Sequence, residues 1–318
     1  MTQAGAGPKA ELVSLVIMAW RQEPLLREVI AAAFARTYQP LEIVLSDDAS
    51  PDGSFAIMQE MAGAYTGPHI VRLNCNPQNL GLIGHVNRVF ELAQGVLLVY
   101  NAGDDISHPD RVARLYAAFA DTRPGMVHSN VVDMGGDGKD LPRQRDRQRH
   151  LELDGLSLAD LATTKNNCIG ASCAWSPRLH QVFGPITETG LFEDRVLYFR
   201  ARLLGDVAYV DDRLLRYRRG TGLSFDRGTG DARTQRNYQI DLATLRQRRL
   251  DCLRVAPDAA DVLKALDAKI AKRVAQLATK SNPVANPEKA ARPSREDRDA
   301  RRAQKARRMT KNAVTPVS

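Results

Sequence analysis

Along the first hundred residues the spacing of apolar positions changes several times, and each change marks an element. Leu12–Met18 (LVSLVIM) is a short unbroken apolar run, the pattern of a strand buried on both faces. After the polar stretch Trp20–Pro24, the residues Leu26, Val29, Ile30, Ala33 and Phe34 recur at helical spacing and predict a helix over Leu25–Thr37. Leu41–Leu45 reads as a second strand, Phe55–Tyr65 as a second helix and Ile70–Leu73 as a short third strand. Gly81 and Gly84 allow close backbone approach at the start of a helix that continues through Glu91, and Val96–Tyr100 is a fourth strand. Regular alternation of strand and helix predicts an α/β fold with a mostly parallel central sheet flanked by helices.

The pattern loosens farther along. Met126–Met134 predicts a strand, Gly135–Arg149 a polar loop, Leu156–Leu161 a short helix and Ile169–Trp175 a strand of small residues. Pro185–Asp194 reads as a turn entering an amphipathic helix over Val196–Leu204, and Ala208–Val210 and Leu214–Tyr217 as two short strands. Asp231–Lys280 has helical periodicity in two segments broken near Pro257. The expected organisation is therefore a disordered N-terminus over 1–10, one domain over 11–225, a helical extension over 231–280 and a tail over 281–318. That tail is rich in proline and charge, which predicts disorder, with a basic helix over Arg295–Arg308.

Composition changes this picture in one place. The chain has 318 residues and a net charge of +8, but Pro287–Ser318 holds ten Lys/Arg against four Asp/Glu, so most of the excess sits in the tail. No apolar run reaches the ~18 residues of a membrane span, and no apolar signal core opens the chain. The spacing of the 4 cysteines fits neither a zinc site nor a disulfide framework. A reducing cytoplasmic setting is expected, with peripheral contact of the tail at the inner face of the membrane.

Two of the predicted strands end in paired aspartates, Asp47-Asp48 and Asp104-Asp105. Open α/β sheets bind ligands at the carboxyl ends of their strands. Asp104-Asp105 would make a hard oxygen site suited to Mg²⁺ or Mn²⁺, and it could equally cap the helix that begins near Pro109. Asp47-Asp48 carries the same two readings, a ligand contact or a turn and cap.

Five segments in order resemble family 2 glycosyltransferases of the GT-A fold: SLVIMAW, LEIVLSDDASPDGS, NPQNLGLIGHVNRVFELAQG, NAGDDISHPDRV and FEDRVLYFRARLLG. The resemblance covers Glu11–Ser224. It implies an inverting, metal-dependent transfer of a sugar from a nucleotide-diphosphate donor, a UDP-sugar first and a dTDP-sugar such as dTDP-rhamnose as the alternative. In that reading Asp105 holds Mn²⁺ or Mg²⁺, Asp104 lies near the ribose or the metal, and Asp48 reads the base, with Asp47 structural. Ala19 and Trp20 line the base. Asn79, Gly81, His85 and Arg88 flank the nucleotide, Asp194 is the catalytic base, and Glu193 orients or caps. Arg218 and Arg219 would assist the phosphates. Gly220 stands where the family usually has a histidine, so the resemblance supplies no third metal ligand there. It also implies an acceptor in cell-surface polysaccharide or lipid-linked glycan synthesis. A competing reading, nucleic-acid binding through the arginine-rich tail, finds no basic stripe interleaved with aromatics in the core, so no nucleic acid is expected as a partner.

Overall fold

The computed structural model describes residues 10–142, 152–205, 207–221 and 230–281. The readings for the N-terminal 1–9, for 143–149 of the polar loop and for the tail from 282 lie outside those residues.

The apolar runs form the strands expected of them. β1 (Val13–Ala19), β2 (Leu41–Asp47) and β4 (Leu98–Ala102) form the centre of the sheet, and every residue of β1 and β2 is buried. Alternate side chains serve two cores. Val13, Leu15 and Ile17 of β1 pack with Leu26, Val29 and Ile30 of α1 (Glu23–Phe34), while Val16 and Met18 pack with Val86 and Val89 of α3 (Gly81–Leu92). A strand covered on both faces has no polar face to show, so its sequence reads as a continuous run.

Strand order is β3-β2-β1-β4-β7-β6-β8-β5. From β3 (Ile70–Cys75) to β4 the pairings are parallel, with α2 (Ser54–Gly63) crossing between β2 and β3. Beyond β4 the sheet is mixed. β7 (Cys173–Trp175) is antiparallel to β4 and to β6 (Met126–Met134), and β6 is parallel to β8 (Val207–Arg218). The chain leaves β1 toward β2 and β3, then returns to place β4 on the other side of β1. That reversal opens a crevice beyond the carboxyl ends of β1, β2 and β4.

Several sequence readings need correction. The two short strands expected near 208–217 are one strand, β8, whose pairing with β6 shifts register around Asn130, so that Ser129 faces Val210 and Asn130 faces Arg213. The skipped Asp211 and Asp212 are exposed, which broke the apolar pattern. Of Ile169–Trp175 only the last three residues are strand. Gly170–Ser172 is a 3₁₀ turn closed by the Ser172 N–H and hydroxyl, both donating to Ile169 O. The helix expected from Val196 begins at Glu193 (α7, Glu193–Leu203), following α5 (Leu158–Thr163) and an unforeseen short helix α6 (Arg178–Phe183). A two-residue strand, β5 (Ile106–Ser107), pairs antiparallel with β8 and was also not foreseen, because two residues carry no period. It precedes α4 (Arg111–Ala120), the helix expected near Pro109.

The chain divides into two compact units, Met1–Arg273 and Val274–Ser318. The first therefore includes α8 (Gly230–Val255) and the start of α9 (Ala260–Ser281). Leu245 and Cys252 of α8 share a core with Leu179, Phe183 and Phe199. Asp251 is paired with Arg200 through two bonds of 2.8 and 2.9 Å, both residues almost fully buried. Among the described residues, no helix is long and apolar enough to cross a membrane.

Candidate active site

The crevice at the strand ends is a cleft of about 670 Å³. Its floor is assembled by main-chain bonds that join consecutive strand ends. Asp48 N–H donates to Ala19 O at 3.0 Å, and Gly103 N–H donates to Met18 O at 2.9 Å. A Cβ at Gly103 would lie 3.1 Å from the side chains of Ala19 and Gln22 and 3.2 Å from Met18 O, so the Asp104-Asp105 turn packs tightly on β1.

Asp48 is buried, and its Oδ1 accepts from Asn76 Nδ2 at 2.8 Å and from Leu80 N–H at 2.9 Å. The carboxylate thereby fixes the segment that carries Asn79 and Gly81 into the cleft. Gly81 adopts φ +70°, a left-handed conformation that glycine takes without strain, at the first position of α3. His85, one turn on, lies against Ser46 with Nε2 2.6 Å from Oγ, and burial pushes its pKa down, which keeps the imidazole neutral. Ala19 and Trp20 also line the cleft, with the Arg21 guanidinium 5.0 Å above the Trp20 ring. Asp47 caps its own turn through Ser50 N–H at 2.8 Å, the structural role expected of it.

Asp104 and Asp105 are clamped by β8. Asp105 Oδ1 accepts from Arg218 N–H at 2.7 Å, Arg218 Nε donates to Asp104 O at 3.0 Å, and Thr221 Oγ1 donates to Asp104 Oδ2 at 2.7 Å. Beneath them lies Arg111, fully buried, whose guanidinium donates to Asn101 Oδ1, Ser107 Oγ, Tyr100 O and Ala171 O at 2.6–3.0 Å. Burial, followed by the charge of Asp104, holds the Asp105 carboxyl far above its ordinary pKa. Asp105 Oδ2 is buried and has no hydrogen-bond partner.

On another wall stand Glu193 and Asp194, the first two residues of α7. Burial is the main cause that raises both, Glu193 to about 8 with the Asp194 charge adding to it, and Asp194 to about 6. The positive charges of Arg195 and Arg248 favour the ionised form of Asp194. Asp194 Oδ2 accepts from Asn167 Nδ2, while its Oδ1 is buried without a partner. Gly170 packs directly on the pair: a Cβ there would lie 2.4 Å from Glu193 Oε1 and 3.3 Å from Asp194 Cβ. The cleft brings the two carboxylate pairs together, with Asp104, Asp105, Glu193, Asp194 and the buried Tyr100 all in its lining.

Of the residues expected at the site from sequence, Ala19, Trp20, Asp48, Asn79, Gly81, His85, Asp104, Asp105, Glu193, Asp194, Arg218 and Arg219 all line the cleft. Two expectations are corrected. Arg88 lies two turns along α3 from Gly81, about 10 Å down the axis, and is a half-exposed partner of Glu91 at 3.0 Å. Arg218 is buried, and its guanidinium is engaged by Asp104 O, Gly136 O and Glu28, so it clamps the acidic turn. Arg219, half exposed, bonds Asp133 at 3.3 Å. Sequence reasoning missed Arg111, Asn167, Gly170 and Thr221. Of these, Gly170 alone carried a sequence signal, as a glycine inside the small-residue run 168–173.

A parallel half-sheet whose strand ends gather carboxylates, continued by a mixed half that carries a second acidic pair, is the architecture of GT-A nucleotide-sugar transferases. The pattern of Glycosyl transferase family 2 matches residues 14–180, and the chain belongs to that family. It is 31% identical over 130 residues to the candidate glycosyltransferase EpsE of Bacillus subtilis (strain 168), a match that covers 41% of this chain and 44% of that relative. The chain thus spans less than half of EpsE. Among solved structures, its fold is similar to the mannosyltransferase PcManGT from Pyrobaculum calidifontis in complex with GDP-Man and Mn²⁺. That similarity has a TM-score of 0.60 at 18% identity and covers 94% of this chain and 81% of that one. It is also similar to S. aureus TarS 1-349 in complex with UDP-GlcNAc, with a TM-score of 0.57 at 12% identity over 82% of this chain and 71% of that one.

Proposed function

We propose that the protein transfers a sugar from a nucleotide-diphosphate donor, a UDP-sugar first, to an acceptor hydroxyl with inversion at the anomeric carbon. The observation that carries this reading is the convergence of two buried acidic pairs, Asp104-Asp105 and Glu193-Asp194, in one cleft beside Asp48. Asp48, Ala19 and Trp20 form the base end. Asp194 accepts the proton of the acceptor hydroxyl as that oxygen bonds to the anomeric carbon, and the bond to the diphosphate breaks with its electron pair on the leaving oxygen. Asn167 and the N-terminus of α7 hold the Asp194 carboxylate in place.

The residues fit a divalent metal. The buried Oδ2 of Asp105, without a hydrogen-bond partner and next to a second carboxylate, is a hard oxygen donor of the kind a divalent ion takes. Among the described residues no group of three or more His, Cys, Asp or Glu is positioned to hold a metal. Such a donor set suits Mg²⁺ or Mn²⁺, which take one or two carboxylates and complete their shell with substrate phosphates and water. Asp105, with Asp104 beside it, would hold the ion, which would supply positive charge to a departing diphosphate.

A hydrolysis screen of UDP-, dTDP- and GDP-sugars with and without Mn²⁺ tests the reading without an acceptor. Metal-dependent release of one nucleoside diphosphate is expected, and failure to bind any of the three nucleotides would refute it. Turnover of a dTDP-sugar alone would favour the rhamnosyl alternative.

Gly170→Ala is expected to lower kcat by about 10-fold while nucleotide affinity holds, because the new methyl would lie 2.4 Å from Glu193 Oε1 and 3.3 Å from Asp194 Cβ, so the Glu193 carboxylate must move and Asp194 is crowded. Steady-state kinetics beside calorimetry check this, and an unchanged kcat would show that Glu193 can move freely.

The acceptor class follows from the tail in this reading. Pro287–Ser318 carries ten Lys/Arg against four Asp/Glu and would bring the enzyme to lipid-linked acceptors at an anionic surface. Truncation before Pro287 is expected to abolish pelleting with anionic vesicles and to leave donor hydrolysis intact. Equal pelleting of both forms would remove the lipid role.

A further inference from the structure

We infer that α8 is a working part of the active site and that Arg248 is a positioning residue for Asp194. The inference rests on Asp194 being the base. α8, like Asp194 itself, lies beyond residues 14–180, the part of the chain that matches the family pattern. Beside the apolar Ile240, Leu245 and Cys252, its inward face buries an unusual number of polar side chains: Asp241, Thr244, Gln247, Arg248 and Asp251 recur at helical spacing and are each 5% exposed or less. Buried polar groups destabilise a fold unless they are bonded, so such a face has to be explained by its partners.

The partners converge on the segments that flank Asp194. Arg248 Nε and Nη2 donate to Arg195 O at 3.1 and 2.8 Å, the residue after Asp194. Its Nη1 donates to the carbonyls of Leu161, Ala162 and Thr164 at 3.0, 2.9 and 3.0 Å. Those residues end α5 and lead to Asn167, which donates to Asp194 Oδ2. One guanidinium therefore ties together the helix that carries Asp194 and the segment that orients its carboxylate. Neighbouring contacts reinforce the latch. Asp241 Oδ1 accepts from Arg195 Nη1 at 3.1 Å, and Gln247 Oε1 accepts from the N–H groups of Thr187 and Glu188 at 2.9 and 3.0 Å on the approach to α7. A planar fork of five donors makes this set of contacts and a lysine ammonium does not.

The test uses the full-length chain and the donor identified by the hydrolysis screen. It measures kcat and donor KM for Arg248→Met, Arg248→Lys, Asp194→Asn and the Asp194→Asn/Arg248→Met double variant, with UDP and Mn²⁺ affinity by calorimetry. Arg248→Met is expected to lose kcat on the order of 10²-fold, the effect of a small misplacement, with nucleotide affinity unchanged. If Arg248 acts through Asp194, the double variant is no slower than Asp194→Asn alone. An unchanged kcat, multiplying losses in the double variant, or a loss of nucleotide affinity equal to the loss of kcat would each overturn the inference. Should Arg248→Met fail to fold, Arg248→Lys decides. A fall in kcat of about 10-fold at an unaltered melting temperature supports positioning, and wild-type kcat overturns it. Near-normal turnover of Asp194→Asn would refute the base assignment instead, a result separate from any of these.

Discussion

Asp194→Asn is expected to keep nucleotide and metal binding and to lose sugar transfer by about 10²–10⁴-fold, the scale of a positioned general base. Asparagine preserves the size of the side chain at the first turn of α7 and removes its basicity. Burial holds the wild-type carboxylate against its preference for the ionised form. Burial raises the Asp194 pKa from 3.8 to about 6, so the folded state binds that proton more tightly than the unfolded state does. Stability therefore falls as pH rises between these values, by up to about 1.4 kcal/mol per pH unit, and is flat above them. The asparagine variant escapes this cost and should melt at or above the wild-type temperature at pH 7. The same shift sets the acid limb of the rate: wild-type transfer should rise with pH through about 6 as Asp194 ionises. A pH–rate profile and a melting curve check both. Parallel loss of nucleotide affinity would make Asp194 a donor-binding or structural group, and near-normal transfer would move suspicion to Glu193.

Asp105→Asn should separate metal binding from folding. Oδ1 keeps its bond from Arg218 N–H at 2.7 Å, since an amide oxygen accepts equally well. Oδ2, buried without a partner, loses its charge. Burial and the neighbouring Asp104 raise the Asp105 pKa, so its ionised form opposes folding at neutral pH. The metal-free variant should consequently melt at or above the wild-type temperature. In the presence of Mn²⁺ and UDP the order reverses. Wild type gains from the bound pair and the variant does not, with metal-dependent nucleotide affinity down by about 10²-fold or more as several kcal/mol of charge compensation are lost. Thermal melts with and without Mn²⁺ and UDP give the answer, and an undiminished metal-dependent shift in the variant would place the ion elsewhere.

The amino-acid sequence by itself determined the parallel half of the sheet and the acidic ends of its strands. Strands such as Val13–Ala19 and Leu41–Asp47 are covered on both faces, so each is written as an apolar run that stops where the chain reaches the cleft. Asp48, Asp104 and Asp105 were legible because they follow those runs directly. Only the tertiary structure decided which polar side chains belong to the site. Arg88 and Arg248 are indistinguishable as arginines on helices, yet Arg88 pairs at the surface with Glu91 while Arg248 is buried among carbonyls of 161–164 and 195. Arg218 follows a predicted strand as a phosphate ligand would, but the pairing of β8 with β5 turns its guanidinium onto the backbone of Asp104. Gly170 interrupts an apolar run like a strand glycine, and only the packing of α7 shows that Glu193 occupies the space of its missing side chain. Hydrophobic burial is a property each residue carries along the chain, whereas a buried charge or a missing Cβ takes its meaning from partners far away in sequence that only the folded chain brings into contact.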